Sequence, residues 1–167
     1  MNHPLSKKLL IFDADGTLRR CIQHKGPCHS DAGQWELIPG VKETLANYCI
    51  SEVFDLAIAT NQAGVSLGHR TVDDVILQLQ ILIMNYFPST QICRVPIFVC
   101  PHDIVANCSC RKPNPGMLLA AMQHSKCGPE DTAFIGDSED DRGAAAQAHI
   151  DFYYAHHFFG WEHPYGL

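Results

Sequence analysis

Short apolar runs, each ending abruptly at a polar residue, recur along the chain. The four runs cover residues 9–12, 56–59, 95–99 and 133–136. Continuous apolar runs of this length are typical of strands buried on both faces, as in a parallel sheet. The segments between them show helical patterns, over about 40–51, 71–87, 114–127 and 139–149. Strands that alternate with helices predict an α/β fold, a three-layer domain with a central parallel sheet.

Local signals agree with this order of elements. Residues 151–155 predict a fifth strand. Thr71 and Asp74 form a variant of the capping box at the start of the second helix, and Pro115 suits the first turn of the third.

The polar residues that end the four runs are candidates for one common site. They are Asp13, Thr60, Cys100 and Asp137. In open α/β sheets, ligands bind beyond the carboxyl ends of the strands, where these side chains fall. Asp15 follows Asp13 by two positions, and on extended backbone the two carboxylates face the same side.

These residue types suit the transfer of a phosphoryl group. A carboxylate such as Asp13 can attack phosphorus and form an aspartyl-phosphate, which splits hydrolysis into two easier steps. Because both reactants are anionic, a cation is needed, and Asp13 and Asp137 offer the hard oxygen ligands that suit Mg²⁺. Thr60 and Lys112 can hold the remaining phosphate oxygens, since phosphoryl transfer depends mainly on positioning and charge stabilisation. Taken singly, Thr60 also fits a turn and Lys112 a solvated charge.

Four motifs together resemble those of the haloacid-dehalogenase-like phosphohydrolases, in order and spacing over residues 8–150. The motifs are Asp13-Ala-Asp15-Gly-Thr, Thr60-Asn61-Gln62, Lys112 and Gly136-Asp137-x-x-x-Asp141. The resemblance implies that Asp13 attacks phosphorus, while Asp15 protonates the leaving oxygen and then activates water. It also implies that the backbone carbonyl of Asp15 completes the magnesium site. Asp141 is expected to act on the site through a neighbouring group.

A cluster of cysteine and histidine precedes Lys112. The pattern Cys-x-His-x5-Cys-x-Cys is formed by Cys100, His102, Cys108 and Cys110. Three thiolates and one imidazole fit a closed tetrahedral Zn²⁺ site, whereas a redox-active or merely buried set of cysteines is the alternative. The run Cys-x-Cys-Arg-Lys-Pro-x-Pro-Gly-Met, over residues 108–117, resembles the zinc-bearing branch of the same superfamily. That branch includes heptose 1,7-bisphosphate and histidinol-phosphate phosphatases. That resemblance implies a structural zinc in the loop 100–110, which presents Arg111 and Lys112.

Composition bounds the remaining possibilities. A length of 167 residues predicts a single domain, 1–167. The net charge of −6 disfavours a broad nucleic-acid footprint. No segment resembles a signal peptide or a membrane span, so we expect a cytoplasmic protein without a membrane partner. In that setting the eight cysteines indicate metal binding or burial rather than disulfides.

The spacing of the motifs bears on the substrate. The interval from Gly16 to Thr60 and the interval from Thr60 to Lys112 are both too short for an inserted cap domain, so we expect an open site. A small phosphorylated metabolite, of the sugar bisphosphate or histidinol phosphate type, is the expected substrate. Asn61 and Arg111 are its candidate contacts.

Two other functions stay open. An open site also admits the end of a polymer, so a polynucleotide 3′-phosphatase could hold a strand end through Arg19, Arg20 and Arg111, although solvated loop charges are the simpler interpretation of Arg19 and Arg20. The other possibility is a phosphoacceptor or binding domain that does not hydrolyse its ligand.

Two segments carry weaker signals. Residues 19–38 predict a loop that borders the site, and a second metal site within it could use Cys21, His24, Cys28 and His29. The aromatic tail 152–165 fits a last strand followed by a segment that seals the core. A dimer contact or an aromatic wall for the leaving group is the alternative for this tail.

Overall fold

The computed structural model describes residues 7–22, 35–49, 54–86 and 95–166. The strands are β1 (Leu9–Phe12), β2 (Arg19–Cys21), β3 (Trp35–Leu37), β4 (Asp55–Asn61), β5 (Ile97–Cys100), β6 (Thr132–Gly136) and β7 (Asp151–Tyr154). The α-helices are α1 (Val41–Cys49), α2 (Val72–Tyr86), α3 (Gly116–Ser125), α4 (Glu139–Ala148) and α5 (Ala155–Phe159).

β1 lies at the centre of a parallel five-stranded sheet, in the order β5-β4-β1-β6-β7. The chain first fills one side of β1 with β4 and β5, and then fills the other side with β6 and β7. The winding therefore reverses between β1 and β6, which leaves a crevice at their carboxyl ends where ligands bind in such folds. The predicted α/β fold with a central parallel sheet is confirmed.

Every residue of β1 is inaccessible to solvent, because helices cover both faces of the sheet. On one face, α1, α2 and α5 pack through an apolar cluster that contains Leu10 and Phe12. On the other face, α3 and α4 pack through a second cluster that contains Leu9 and Ile11. Alternate residues of β1 thus belong to opposite cores, which is why its sequence shows no polar alternation.

The tail seals the first of these cores. The ring of Phe159 stacks on Phe12 with centroids 6.3 Å apart, and Trp161 stacks on Phe159 at 5.0 Å. The indole Nε1 of Trp161 donates a hydrogen bond to the carbonyl of Pro39 at 3.1 Å. These contacts agree with the interpretation of the tail as a last strand followed by a sealing segment.

The main helices begin near the predicted positions. At α2, the backbone N–H of Asp74 donates to Thr71 Oγ1 and the Asp74 carboxylate accepts from Thr71, as predicted. At α4, Ser138 and Asp141 form the same reciprocal cap, which places Asp141 on the first turn of this helix. Pro115 precedes α3 as its N-cap residue rather than lying inside the first turn.

The prediction of a loop over residues 19–38 is wrong for the two ends of that segment. β2 and β3 pair as antiparallel strands, with Arg19 opposite Leu37 and Cys21 opposite Trp35. Each strand has only three residues, and the central pair is charged, with Arg20 opposite Glu36, so neither strand shows an apolar run. His24, Cys28 and His29, three members of the possible second metal site, lie outside the described residues.

Within the described ranges, no helix is long and apolar enough to span a membrane.

Burial of β1 on both faces predicts that substitutions on either face are costly. Leu10→Ala and Ile11→Ala should each lower the free energy of unfolding by about 2–5 kcal/mol, as is usual for large-to-small changes in a core. Leu77→Ala is the control, since Leu77 is 58% exposed and should change stability by less than about 0.5 kcal/mol. Urea unfolding measures all three. A small effect at either Leu10 or Ile11 contradicts the two-sided core.

Candidate active site

A cleft of about 380 Å³ opens at the carboxyl ends of β1, β4 and β6. The predicted residues that line it are Asp13, Asp15, Thr60, Asn61, Arg111, Lys112, Asp137 and Asp141. These side chains come from four separate parts of the chain, and the sheet brings them together. The position matches the crevice at which the winding of the sheet reverses.

The ammonium of Lys112 lies at the buried floor of the cleft. Its Nζ is 2.5 Å from Asp13 Oδ1 and 2.6 Å from Asp141 Oδ1, and it donates to the carbonyl of Ala59 at 3.0 Å. It also lies over the ring of Phe134, 5.3 Å from the centroid. Lys112 is 3% exposed, so the interpretation of this residue as a solvated charge does not hold.

The acidic side of the cleft carries more negative charge than Lys112 can balance. One carboxylate oxygen each from Asp13, Asp137 and Asp141 lies within 4.8 Å of the others. If all three carboxylates are ionised, one ammonium leaves an excess of two negative charges. A divalent cation with oxygen ligands fits this donor set and this charge.

The pKa values of these groups show the same imbalance. Burial raises the pKa of Asp13 well above its usual range; Lys112 opposes this shift, and Asp141 and Asp137 add to it. Burial, together with the charge of Asp141, raises the pKa of Asp137 to about 7. Although burial disfavours its charged form, Asp13 and Asp141 hold the pKa of Lys112 above its usual value. The carboxyl groups therefore resist ionisation until a cation joins them.

Asp15 is held from one side by an arginine and from another by an amide. Arg19 Nε donates to Asp15 Oδ1 at 2.7 Å, and Arg19 Nη2 is 3.2 Å from Oδ2. Gln62 Nε2 donates to the same Oδ2 at 2.7 Å. It also lies 2.9 Å from Thr60 Oγ1, so Gln62 links two of the predicted site residues.

Asn61 is joined to the main chain of Lys112. Its Nδ2 donates to the Lys112 carbonyl at 3.1 Å, and its Oδ1 accepts from the Lys112 N–H at 3.0 Å. This pair fixes the backbone that presents Lys112. Contact between Asn61 and a substrate stays a prediction.

Asp137 approaches the turn after β1 very closely. A Cβ at Gly16 would lie 2.3 Å from Asp137 Oδ2, and Gly16 has φ +95°, so a side chain at this position is excluded twice over. The hydroxyl of Tyr165 donates a hydrogen bond to Asp137, and burial together with this carboxylate raises the pKa of the phenol. The C-terminal segment thus reaches the acidic side of the cleft.

The cysteine and histidine cluster forms a compact group beside the cleft. The ligand atoms of Cys100, His102, Cys108 and Cys110 all lie within 4.8 Å of one another. The sulfur of Cys110 is 3.0 Å from that of Cys100 and 3.4 Å from that of Cys108. Thiolates at about 2.3 Å from a tetrahedral zinc ion are roughly 3.8 Å apart, so a small expansion would fit the group to zinc.

The cluster is tied to the cleft through its neighbours. Arg111 lines the cleft, and its Nη1 donates to the carbonyl of His102 at 2.9 Å. Asn114 Nδ2 donates to the carbonyl of Cys108 at 2.8 Å. These two bonds brace the loop on both sides of Lys112.

The thiols of the cluster have opposite pKa shifts. Burial raises the pKa of Cys100 to about 12, and its hydrogen bonds with Cys110 and Cys108 add to this shift. Burial alone would raise the pKa of Cys108 as well. Its hydrogen bonds, of which the one with Cys110 has the largest effect, instead lower that pKa to about 6. One thiolate thus forms readily among close thiols, which is the state that begins metal binding.

Arg19 and Arg20 differ from the sequence-based interpretation. Both are buried, Arg19 completely, so their description as solvated loop charges is wrong. Arg20 donates to Glu36 and to the carbonyls of Tyr165 and Gly166. Neither guanidinium is therefore available at the mouth of the cleft to bind the end of a nucleic-acid strand.

Sequence reasoning also left Gln62 and Tyr165 without a role. Gln62 follows Thr60 by two positions, so the same-face spacing that paired Asp13 with Asp15 is a signal that points to it. Tyr165 lies near the end of the chain, far from the motifs, and its contact depends on the path of the tail.

Comparisons with known proteins agree with this geometry. The family described as polynucleotide kinase 3 phosphatase matches residues 8–162. A D-glycero-beta-D-manno-heptose-1,7-bisphosphate 7-phosphatase of Pseudomonas putida is 34% identical over 146 residues, covering 83% of this chain and 76% of the relative. A D-glycero-alpha-D-manno-heptose-1,7-bisphosphate 7-phosphatase of Campylobacter jejuni is 32% identical over 146 residues, covering 87% of this chain and 80% of the relative.

A solved structure shows the same fold. The D,D-heptose 1,7-bisphosphate phosphatase of B. bronchiseptica, complexed with magnesium and phosphate, superposes with a TM-score of 0.71 and 26% identity. The match covers 87% of this chain and 78% of that one. With the family match and these relatives, the chain belongs to the family described as polynucleotide kinase 3 phosphatase, among the haloacid-dehalogenase-like phosphatases, and it is a phosphatase.

Proposed function

We propose that this phosphatase hydrolyses a phosphomonoester of a small sugar bisphosphate, with Mg²⁺ and through an aspartyl-phosphate at Asp13. The observation that carries the proposal is the position of Asp13 beside Lys112, Asp137 and Asp141 at the floor of the cleft. An anionic nucleophile in this place can meet a phosphate only where cations offset both charges.

The residues of the cleft divide the reaction between them. Asp13 attacks phosphorus, and the bond from phosphorus to the leaving oxygen breaks as the bond to Asp13 forms. Asp15 gives a proton to the leaving oxygen, then takes a proton from the water that releases phosphate from Asp13. Lys112 and Thr60 hold phosphoryl oxygens, while Asp141 keeps Lys112 in place.

Asp13, Asp137 and the backbone carbonyl of Asp15 would hold Mg²⁺. Bound there, the ion supplies positive charge that lets the carboxylates ionise and lets the phosphate approach. The raised pKa values of Asp13 and Asp137 support this assignment, because burial and the neighbouring carboxylates disfavour ionisation and a bound cation would favour it. Both oxygens of Asp141 already face Ser138 or Lys112, which supports an action through Lys112.

The burial of two arginines favours a sugar bisphosphate over the end of a nucleic-acid strand as the substrate. A strand end would need Arg19, Arg20 and Arg111 at the mouth of the cleft, but the first two are buried and paired inside the protein. Arg111 remains on the cleft wall, where it can contact a second phosphate of a small substrate. The names of the relatives point to the heptose 1,7-bisphosphate type.

A polynucleotide 3′-phosphatase is the second candidate, because the matching family carries that activity in its description. The cleft is open, and within the described ranges only β2, β3 and α1 lie between Gly16 and β4, so no folded cap excludes a polymer end there. The net charge of −6 opposes binding along a strand.

The Cys100, His102, Cys108 and Cys110 cluster is proposed to hold a structural Zn²⁺. Three sulfurs and one imidazole nitrogen form a closed donor set, with no position left for a substrate. The ion would fix the loop that carries Arg111 and Lys112, because all four donor residues lie within residues 100–110, directly before them.

The first test is phosphate release with Mg²⁺ from a panel of substrates. The panel holds both anomers of heptose 1,7-bisphosphate, histidinol phosphate, other sugar phosphates and a 3′-phosphorylated oligonucleotide. We expect preference for a heptose bisphosphate. Asp13→Asn should lower turnover at least about 10³-fold, as is usual when a nucleophile is removed. Preference for the oligonucleotide would replace the proposed substrate with the second candidate, and near-normal turnover by Asp13→Asn would refute Asp13 as nucleophile.

The pKa of Asp137 predicts how stability depends on pH and metal. Because its pKa is higher in the folded chain than in the unfolded chain, Asp137 contributes stability at low pH that is lost as pH rises through about 7. Without metal at pH 8, Asp137→Asn should therefore be more stable than wild type, by about 1–4 kcal/mol, and the difference should vanish near pH 4.

Urea unfolding in chelator measures this difference. Asp140→Asn is the matched control, because Asp140 lines the same cleft but is exposed. Added Mg²⁺ should stabilise wild type more than Asp137→Asn at pH 8. A metal-free Asp137→Asn protein that is less stable than wild type at pH 8 contradicts the account of the acidic cluster.

The zinc proposal predicts coupled losses. Cys108→Ala should lose one equivalent of bound zinc, measured by elemental analysis, and should lose stability and activity together because structural zinc couples to folding. Cys127→Ala, outside the cluster, should keep its zinc. A Cys108→Ala protein that is active without zinc would contradict the assignment of a structural zinc ion.

A further inference from the structure

The carboxylate of Asp15 has almost all of its acceptor positions filled. An ionised carboxylate offers about four lone-pair sites, two on each oxygen. Oδ2 accepts from Gln62 and faces Arg19 Nη2, while Oδ1 accepts from Arg19 Nε. Among the described residues, no further donor contacts Oδ1. One site on Oδ1 is thus left open, and it can carry the proton that Asp15 gives to the leaving oxygen in the proposed function.

The guanidinium of Arg19 is built into the protein on every side. Its Nη1 lies 3.2 Å from Gln78 Oε1 on α2, and its plane lies over the ring of Trp35 on β3, 5.4 Å from the centroid. Arg19 has no solvent exposure, and Gln78 has 8%. A cation fixed by an acid, an amide and an indole has little freedom to move, so it holds the acid in one orientation.

The turn after β1 joins the acid to its partner within five residues. The N–H of Arg19 donates to the carbonyl of Ala14 at 3.0 Å, and its own carbonyl accepts from the N–H of Gly16 at 2.7 Å. Asp15 and Arg19 are bridged through their backbones as well as their side chains. The turn that presents Asp15 therefore also presents the residue that orients it.

We propose that Arg19 is a positioning residue for proton transfer, which holds the Asp15 carboxylate so that Oδ1 faces the leaving oxygen and, later, the attacking water. This inference rests on the proposed role of Asp15 as proton donor. Arg19 itself is completely buried and is not among the residues that line the cleft.

Leaving groups differ in their need for this proton. An alcohol leaves with a proton from Asp15, because an alkoxide takes the electron pair of the broken bond only at high cost. The 4-nitrophenolate ion takes that electron pair without a proton. A misplaced Asp15 should therefore slow the transfer of phosphate to Asp13 from an alkyl phosphate much more than from 4-nitrophenyl phosphate.

The experiment measures the first release of leaving group by rapid quench, for a sugar phosphate and for 4-nitrophenyl phosphate, on the intact protein with Mg²⁺. The readout is the rate with the sugar phosphate divided by the rate with 4-nitrophenyl phosphate. Both rates are measured on one sample, so the ratio does not depend on the folded fraction. Arg19→Lys keeps the charge but loses the two-pronged contact, and Asp15→Ala marks the largest change expected. Arg20→Lys is the matched control, since Arg20 is a buried neighbour on the same strand that contacts Glu36 instead.

We expect the ratio to fall about 10- to 100-fold in Arg19→Lys and to stay within about twofold in Arg20→Lys. Gln78→Met, which removes only the outer contact of Arg19, should shift the ratio in the same direction by a smaller factor, and it serves where Arg19→Lys does not fold. An unchanged ratio in the Arg19 and Gln78 variants overturns the inference and leaves Arg19 a structural ion pair.

The controls separate this failure from failure of the proposed function. If Asp13→Asn is inactive and Asp15→Ala lowers the ratio, but Arg19→Lys does not, the inference alone fails. If Asp15→Ala also leaves the ratio unchanged, the role of Asp15 in the proposed function fails with it.

Discussion

The contact of Lys112 with Asp13 and Asp141 is the interaction on which the site depends. A buried ammonium is tolerated because it lies within 2.6 Å of both carboxylates, and removing one member of such a group leaves an uncompensated buried charge. The contact also joins distant segments, since Asp13 ends β1, Asp141 begins α4 and the carbonyl of Ala59 belongs to β4. The same group remains short of positive charge, which is the property that the proposed binding of Mg²⁺ and phosphate would use.

Lys112 can occupy this place because its loop is held from two directions. Asn61 binds both backbone groups of Lys112. The cysteine and histidine cluster is tied to the flanking residues through Arg111 and Asn114. A zinc ion in the cluster would thus act on the proposed reaction only through the position of the loop that carries Lys112.

Local patterns predict the sheet and the acidic cluster well, because apolar runs and the polar residues that end them are short-range features. The four runs became β1, β4, β5 and β6, and Asp13, Thr60 and Asp137 do meet at their carboxyl ends. The burial of Arg19 and Arg20 could not be predicted from such short-range patterns. Their burial depends on Gln78 and on the C-terminal carbonyls, which lie 59 and 145 positions away along the chain.

The most direct test of the central claim is to trap the covalent intermediate. Protein quenched during turnover is reduced with borohydride, which converts an aspartyl-phosphate to homoserine with loss of phosphate, and the peptide that carries residue 13 is sequenced by mass spectrometry. The account predicts homoserine at position 13 in the presence of substrate and Mg²⁺, and aspartate there when either is omitted. Unmodified Asp13 during rapid turnover, or homoserine at another acid, would contradict it.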